Sequence, residues 1–478
     1  MLFRSGWMIS NQDRRNPKLA MTLVCLLLLV ELGTKSYEWY SPQYGNHVSN
    51  FSNAGTVYES ESNSASGILK TISDDGVYRS DLISKSGGGS RQTTNYGIRD
   101  HINGVSSYYN MNGGSLVSWS LELGNAHQPN IFMINDLDQR TVLNELAGVK
   151  YAVALEEGLS HLPYGYKLLE TREYEQADGT RTSVHLYENS YALPLAYTYA
   201  RYIPYDVYAQ LPPNRKEQAM LQGVILQGET PLEAVTPVFD DQILMDTEAL
   251  LEVLESIAAG DDNLEIREGK LQVKKANYTV TVPVKSEAGE IYLQFQGLHF
   301  RSVNYYGEEA VKRAEQGEPR IRIMASRRNA RQWESIESAA ITATAGALTD
   351  TATLLGGNNQ YYYGKKDLLL NLGCGEIKKN IKIKFSEPGE YAFDGMALIC
   401  QPMEGYGDKV APLQARGAVS TRVDGNHVSF EFETGGDELA VITIPYDKGW
   451  SAVVDGQPAQ IVQANVAFMG VKIGRAHV

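Results

Sequence analysis

Most signatures of a catalytic motif are missing from this chain. It has no H-E-x-x-H, no C-x-x-C, no G-x-S-x-G and no P-loop, and its eight histidines are scattered without metal-ligand spacing, so a hydrolase or metalloenzyme has no motif to rest on. Cysteine is scarce too. Three residues, Cys25, Cys374 and Cys400, cannot build a disulfide framework. Cys374 and Cys400 are compatible with one bridge in an oxidising compartment or with two reduced buried thiols. Positive charge is in deficit. The 43 Lys and Arg stand against 57 Asp and Glu, a formal charge of −14, and the resulting field repels nucleic acid. After residue 33 no apolar run approaches membrane length.

What is present is enough for a large folded protein. The 478 residues are 43% hydrophobic, which excludes a disordered chain and, with single cores limited to roughly 250 to 300 residues, suggests two or three packed domains. Twenty-nine tyrosines against eleven phenylalanines supply rings with one polar end, suited to half-buried strands and to sugar-facing surfaces.

The one long aliphatic run is Leu19 to Val30, preceded by Arg14, Arg15 and Lys18. As a helix it rises about 18 Å, against a hydrocarbon thickness of ~30 Å. A signal-peptide core fits that length, but no A-x-A-like cleavage site follows and Glu31 ends the run. With Lys18 and Glu31 snorkelling and Trp39 and Tyr40 at the interface, a retained transmembrane helix over 19–35 is the expectation. Under either reading the upstream positive charge stays cytoplasmic and the bulk of the chain is extracytoplasmic.

Beyond this segment the expected fold class is α+β, with a mixed α/β domain over 36–200, a helical connection over 201–260 and a C-terminal antiparallel β-sandwich over 261–473. In NDLDQRTVLNELAGVKYAVAL, Asp136 and Asp138 are candidate helix caps, Val142, Leu143 and Leu146 have helical spacing, Gly148 terminates, and a buried strand follows. SKSGGGS at 84–90 and NMNGGSL at 110–116 read as loops, and 165–174 and 180–189 as strands about a turn at Asp178 and Gly179. DTEALLEVLESIAAG is an amphipathic helix capped by Asp246 or Thr247, with Leu250, Leu251, Leu254 and Ile257 on one stripe. Period-two segments then recur, among them PRIRIMAS at 319–326, with D-G hairpin signals in VDGN at 423–426 and VDGQ at 454–457.

Candidate chemistry stays thin. The D-x-D of Asp136 and Asp138 has the form some sugar-nucleotide transferases use to hold a divalent cation, but its place before a helix favours capping. Asp240 and Asp241 are neighbours in the chain and do not straddle a glycosidic bond. No catalytic, cofactor-binding or metal-ligating residue is therefore expected in this chain, and the cofactor is unknown.

The segment from Ile444 to Ile473 resembles the end of the extracytoplasmic domain in the YfhO family of bacterial multi-spanning membrane proteins, through Ile444, Pro445, Tyr446, Gly449, Trp450, Val454, Asp455, Gly456, Asn465, Phe468, Gly470 and Val471. GVSSYYN from Gly104, LAGVKYAV from Leu146 and YENSYALPLAY from Tyr187 are similar in the same order. Trp450 among them reads as a packing anchor. The resemblance implies a polytopic glycosyltransferase that takes sugar from a polyprenyl-phosphate carrier and decorates cell-wall polymers such as lipoteichoic acid. It also implies a catalytic loop among amino-terminal helices that this chain does not contain. The initial LFRS and the terminal IGRAHV look like translated adapter ends, so 1–18 reads as a cytoplasmic stub with an artefactual start and 474–478 as an artefactual tail. The expected partners are the lipid bilayer, a polyprenyl-phosphate sugar and a cell-wall glycopolymer. A membrane-anchored carbohydrate-binding protein without catalysis is the rival reading, and a glycosidase would need two facing carboxylates.

Overall fold

The computed structural model describes residues 17–41, 65–74, 76–83, 97, 101–108, 113–127, 133–154, 162–175, 181–303, 338–355 and 362–474. The loop at 84–90, the turn at Asp178 and Gly179, the segment 319–326 and the outermost ends of the chain lie outside these residues. Two compact units are present, one of residues 1–63 with 175–180 and one of 64–174 with 181–478.

The first unit contains the helix Pro17–Tyr40. Its 24 residues extend well past the aliphatic run, but Glu31 interrupts the apolar stretch and Lys35 and Glu38 pair with each other at 2.6 Å. Among the described residues no helix is long and apolar enough to cross a membrane. The transmembrane expectation over 19–35 is corrected to that extent. The helix forms, while its apolar run stays short of the ~20 residues a span requires.

The second unit is mixed α+β. The helix expected after Asp138 is Thr141–Leu146, closed by Gly148 at φ +71° and followed by the strand Val149–Ala154. That strand lies inside a four-stranded sheet, parallel to Arg79–Ile83 and antiparallel to Arg181–Asn189, with Tyr166–Glu175 at the edge. The loop reading of 110–116 is overturned at its end, because Gly114–Glu122 is a helix. Trp119 and Leu123, four residues apart, bury themselves from one face of that segment, and that apolar spacing outweighs the two preceding glycines.

Residues 201–260 hold the helices Tyr205–Ala209, Pro213–Gln222 and Thr247–Ala258 together with the strands Arg201–Pro204, Val224–Leu226, Glu233–Ala234 and Gln242–Met245. The last helix starts as its sequence suggests. Asp246 accepts the Ala249 N–H at 3.0 Å, and Leu250 and Leu254 are buried. The short strands remove any purely helical character from the region, since three of them enter a seven-stranded sheet.

That sheet joins distant parts of the chain. Its order is Glu233–Ala234, Arg201–Pro204, Val224–Leu226, Ile461–Ala464, Phe468–Ile473, Glu438–Pro445, Ala196–Tyr199. The terminal strands thus leave the region 261–473 and complete a layer begun by residues 196–226. Strand pairing is free to ignore chain order, which no local pattern reveals.

Three further four-stranded sheets, built mainly between residues 242 and 401, contribute to one apolar core with the helix Thr247–Ala258. Their alternation is clear in Tyr278–Pro283, where every second residue is buried. Cys374 and Cys400 sit on strands flanking opposite edges of Gly289–Gln296. Two strand spacings of roughly 4.8 Å separate them, beyond disulfide reach, and both are free thiols.

The two D-G signals resolve differently. In the second hairpin Asp455 and Gly456 are the corner, with φ of +50° and +78°, as a type I′ turn requires. In the first, Asp424 pairs with His427, so the corner moves to Gly425 and Asn426 and only Gly425 has positive φ.

Asn465 connects the last hairpin to the sheet. It is fully buried at φ +46°, its Oδ1 accepts the Ile225 N–H at 2.8 Å, and its own N–H donates to the Ile225 carbonyl at 3.0 Å. The side chain therefore substitutes for a missing rung of the ladder. Asn465→Ala is expected to destabilise the protein by about 2 to 3 kcal/mol, because a buried N–H loses its acceptor and alanine tolerates left-handed backbone poorly. Urea denaturation checks this, with a lowered midpoint at unchanged slope as the expected result.

Candidate functional site

Two polar constellations and two cavities are candidates. The first constellation overturns the capping assignment. The cap of Thr141–Leu146 is Arg140, whose side chain makes no capping bond. Asp138 and Gln139 have φ of +53° and +51°, a left-handed corner that Asp tolerates. Both aspartates, Asp136 and Asp138, are buried instead of presented to the helix start.

There they surround His127. Nδ1 of the imidazole is 2.8 Å from Asp136 Oδ1 and Nε2 is 2.6 Å from Asp350 Oδ1. Asp138 accepts the backbone N–H of His127 at 2.9 Å, and Asp350 accepts that of Asn371 at 2.8 Å. A carboxylate on each ring nitrogen requires both nitrogens to donate, so His127 is an imidazolium. Burial alone would push its pKa down, but Asp136 and Asp350 outweigh it and hold the pKa well above the ordinary value. Burial, with Asp136 beside it, pushes Asp138 up to about 6, and Asp81 up to about 7. His127, Asp136 and Asp138 bring ligand atoms within 4.8 Å of one another, close enough to share a cation. The contacts already made by His127 and Asp138 favour a structural ion bridge over that use.

A second buried pair lies nearby. Arg140 Nε donates to Glu217 Oε2 at 2.8 Å, and Nη1 donates to the Leu123 carbonyl at 2.7 Å. Tyr292 OH donates to the other Glu217 oxygen at 3.1 Å, tying the helix Pro213–Gln222 to the strand Gly289–Gln296. These are fold determinants.

Of the two cavities, the larger, about 710 Å³, is lined in part by Arg201, Phe239, Asp240, Lys409 and Arg416. Its charges are largely neutralised. Lys409 pairs with Asp240 at 2.6 Å and Arg416 pairs with Glu438, while Asp241 is held by Arg215 at 2.9 Å. Asp240 and Asp241 thus serve separate cations and do not face each other across a cleft.

The smaller cavity, about 390 Å³, is where the family-like stretches converge. Gly104 to Ser107, Ala147, Pro445 and Phe468 come from three of those stretches and line it together. Arg79, Trp119, Ser120 and Asn125 complete its polar side. Trp119 Nε1 and Ser120 Oγ are buried without a hydrogen-bond partner, a rare condition in a folded protein and a mark of a place where a ligand or water belongs. Trp450 contributes nothing here. It is half-buried at the turn after Asp447 and joins none of the buried apolar clusters, so the packing anchor is Trp119, which meets the Phe468 ring at 5.7 Å.

Arg79 is positioned by two segments distant in the chain. Nη1 donates to the Ala147 carbonyl at 2.6 Å and to Thr443 Oγ1 at 2.8 Å, and Nη2 donates to the Thr443 carbonyl at 2.6 Å. The pairing of Glu438–Pro445 slips between Ile442 and Pro445, and this irregularity frees the Thr443 carbonyl for the guanidinium. Burial pulls the Arg79 pKa down to about 10, so the group remains cationic at neutral pH. Sequence patterns gave no sign of Arg79, His127 or Asp350. Arg79 acquires meaning from residues 68 and 364 positions away, and His127 and Asp350 from each other across 223 positions.

The comparisons agree with the motif reading. A family described as "Bacterial membrane protein YfhO" matches residues 2–477. The uncharacterised protein YfhO of Bacillus subtilis (strain 168) is 23% identical over 383 residues, covering 78% of this chain and 37% of that relative. The chain therefore spans little more than a third of the relative's length.

The His127 bridge gives a pH dependence of definite sign. A folded pKa above the unfolded value of about 6.5 means its stabilisation is complete below that pH and is lost as pH rises through the folded value. The raised carboxyls of Asp81 and Asp138 act in the same sense, since the native state keeps protons that the unfolded chain releases. Urea midpoints are expected to fall between pH 5 and 8. His127→Asn should flatten that slope and cost about 3 to 5 kcal/mol at pH 6 by leaving buried carboxylates unpaired. A chelator should leave the wild-type midpoint unchanged, whereas a chelator-induced drop would make the cluster a metal site.

Proposed function

The chain belongs to the YfhO family of bacterial membrane proteins, and from this premise we propose that it is the extracytoplasmic portion of a polytopic membrane glycosyltransferase, holding a cell-wall glycopolymer of the lipoteichoic-acid type while sugar arrives from a polyprenyl-phosphate carrier. The observation that carries this reading is the convergence of family-like stretches on the cavity beside Arg79. Its wall joins hydroxyl and amide groups of Ser106, Ser107, Ser120 and Asn125 with the Trp119 ring, a donor-rich surface with one aromatic face suited to a sugar or polyol.

Binding is the role assigned to the described residues. Bond-making belongs, in this proposal, to the part of the family architecture outside the aligned 37% of the relative. The rival, an anchored surface protein that binds carbohydrate without chemistry, would use the same cavity.

Topology supplies the first test. In a chain whose native cysteines are changed to alanine, Val423→Cys, exposed beside a hairpin turn, should react with a membrane-impermeant maleimide on intact cells. Protection until the cells are lysed would overturn the assignment. In cells making the parent protein, Ser107→Trp should lower the sugar content of the wall polymer. Unchanged polymer with preserved binding by the purified chain would favour the non-catalytic binder.

A further inference from the structure

Arg79 is an uncompensated cation in an acidic protein. No carboxylate lies within ion-pair distance of it among the described residues, although the chain carries a net charge of −14. Its three hydrogen bonds all go to Ala147 and Thr443, two residues that line the cavity with it. Nη1 spends both hydrogens on the Ala147 carbonyl and Thr443 Oγ1, and Nη2 spends one on the Thr443 carbonyl. What remains is the Nε–H and one Nη2–H. Those two donors form the side edge of the guanidinium, the fork that grips an oxyanion with two parallel bonds.

Other donors stand around the same space. The helix Gly114–Glu122 begins at its edge, with Gly113 and Leu116 in the wall and, among the described residues, no side chain capping its first turn. An uncapped N-terminus of a nine-residue helix directs partial positive charge and unbonded N–H groups toward an anion. Trp119 Nε1 and Ser120 Oγ, both orphaned, and Ser107 add neutral hydrogen-bonding capacity. A cavity of about 390 Å³ lies at the small end of ligand sites, which run from roughly 300 to 1,000 Å³. It suits a single repeat unit and excludes a long stretch of polymer.

We infer that this cavity recognises one phosphate-ester unit of a hydroxyl-rich ligand, a sugar phosphate or polyol phosphate, with the free edge of Arg79 on the phosphate and the Trp119, Ser120 and Ser107 side on the hydroxyls. Phosphate is favoured over carboxylate because it has acceptors to spare for the helix N-terminus after the Arg79 fork is filled. The inference rests on the carbohydrate-holding role proposed above and specifies its chemistry. It also answers how a strongly acidic protein engages an anionic partner. Recognition is local and short-ranged, while the overall field, screened beyond roughly 8 Å at physiological salt, discourages long polyanions such as nucleic acid.

Calorimetric titration of the purified chain with glycerol 3-phosphate, glucose 1-phosphate, glucose and glucuronate tests the inference. The two phosphates should bind and glucose should bind at least tenfold more weakly, as loss of charge-assisted bonds implies. Arg79→Gln should lose tenfold or more for the phosphates and little for glucose, with Arg79→Lys between them. Because Arg79 also ties three segments together, thermal melting accompanies each variant. Ser107→Trp, which fills the cavity while leaving Arg79 itself unchanged, should abolish binding even if Arg79→Gln fails to fold. Equal affinity for glucose and glucose 1-phosphate, tighter binding of glucuronate, or phosphate binding retained in Ser107→Trp would overturn the site. Glycerol-phosphate oligomers and vesicles carrying a polyprenyl-phosphate sugar then separate the two sources. Phosphate binding without binding of either source would uphold the site and sink the proposed function. Polymer binding insensitive to competing phosphate would do the reverse.

Discussion

The return of the final hairpin into a sheet begun more than 200 residues earlier is the constraint on which the rest of the second unit depends. Ile461–Ala464 and Phe468–Ile473 sit between Val224–Leu226 and Glu438–Pro445, and Asn465 supplies side-chain and backbone bonds at the junction. Once Glu438–Pro445 is fixed between Phe468–Ile473 and Ala196–Tyr199, its irregular end is held where the Thr443 carbonyl meets Arg79. The cavity wall then follows. Phe468 reaches it from the hairpin and packs on Trp119, so the site is a consequence of how the sheet closes. A change that loosens the hairpin therefore acts on stability and on the cavity together.

Buried charge is distributed by the same logic. Asp350 lies on a strand of the antiparallel region, His127 and Asp136 lie nine residues apart in the mixed region, and the imidazolium bridges them. Arg140 and Glu217 connect the same two regions a short distance away through Tyr292. Replacing such groups with apolar ones is often neutral for stability, whereas breaking one partner is costly. Each of them links the two regions through buried polar contacts. Arg79 differs in kind, because its partners are neutral carbonyl and hydroxyl oxygens and one edge of its guanidinium is left toward a cavity.

Local elements were legible where physics is local. The helix Thr247–Ala258 with its Asp246 cap, the stop at Gly148 before Val149–Ala154, and the alternation in Tyr278–Pro283 all follow from patterns within a dozen residues. The resemblance of the terminal segment to one family was legible too, and the family match extends over residues 2–477. The failures have equally physical causes. Asp136 and Asp138 looked like caps because the helix is adjacent, yet the left-handed backbone at Asp138 and Gln139 turns the chain before the helix starts. Gly113 and Gly114 looked like a loop, yet the burial of Trp119 and Leu123 pulls the segment into a helix. The apolar run at Leu19 to Val30 did become helix, and the charged residues beyond it are helical as well.

By itself the sequence determined the α+β class, most of the strands, the net negative charge of −14, and the family. The class and the strands depend on short-range periodicity and the charge on composition, which every stretch carries with it, and the family on the resemblance of particular stretches. Tertiary structure alone decided that Arg79 would stand beside Trp119 and Ser120 on neutral oxygens of Ala147 and Thr443, that His127 would be charged between Asp136 and Asp350, and that Cys374 and Cys400 would remain apart. Each of those outcomes depends on at least one distance between residues far apart in the chain, and such distances are fixed by which strands pair, a choice made only when the whole core is assembled.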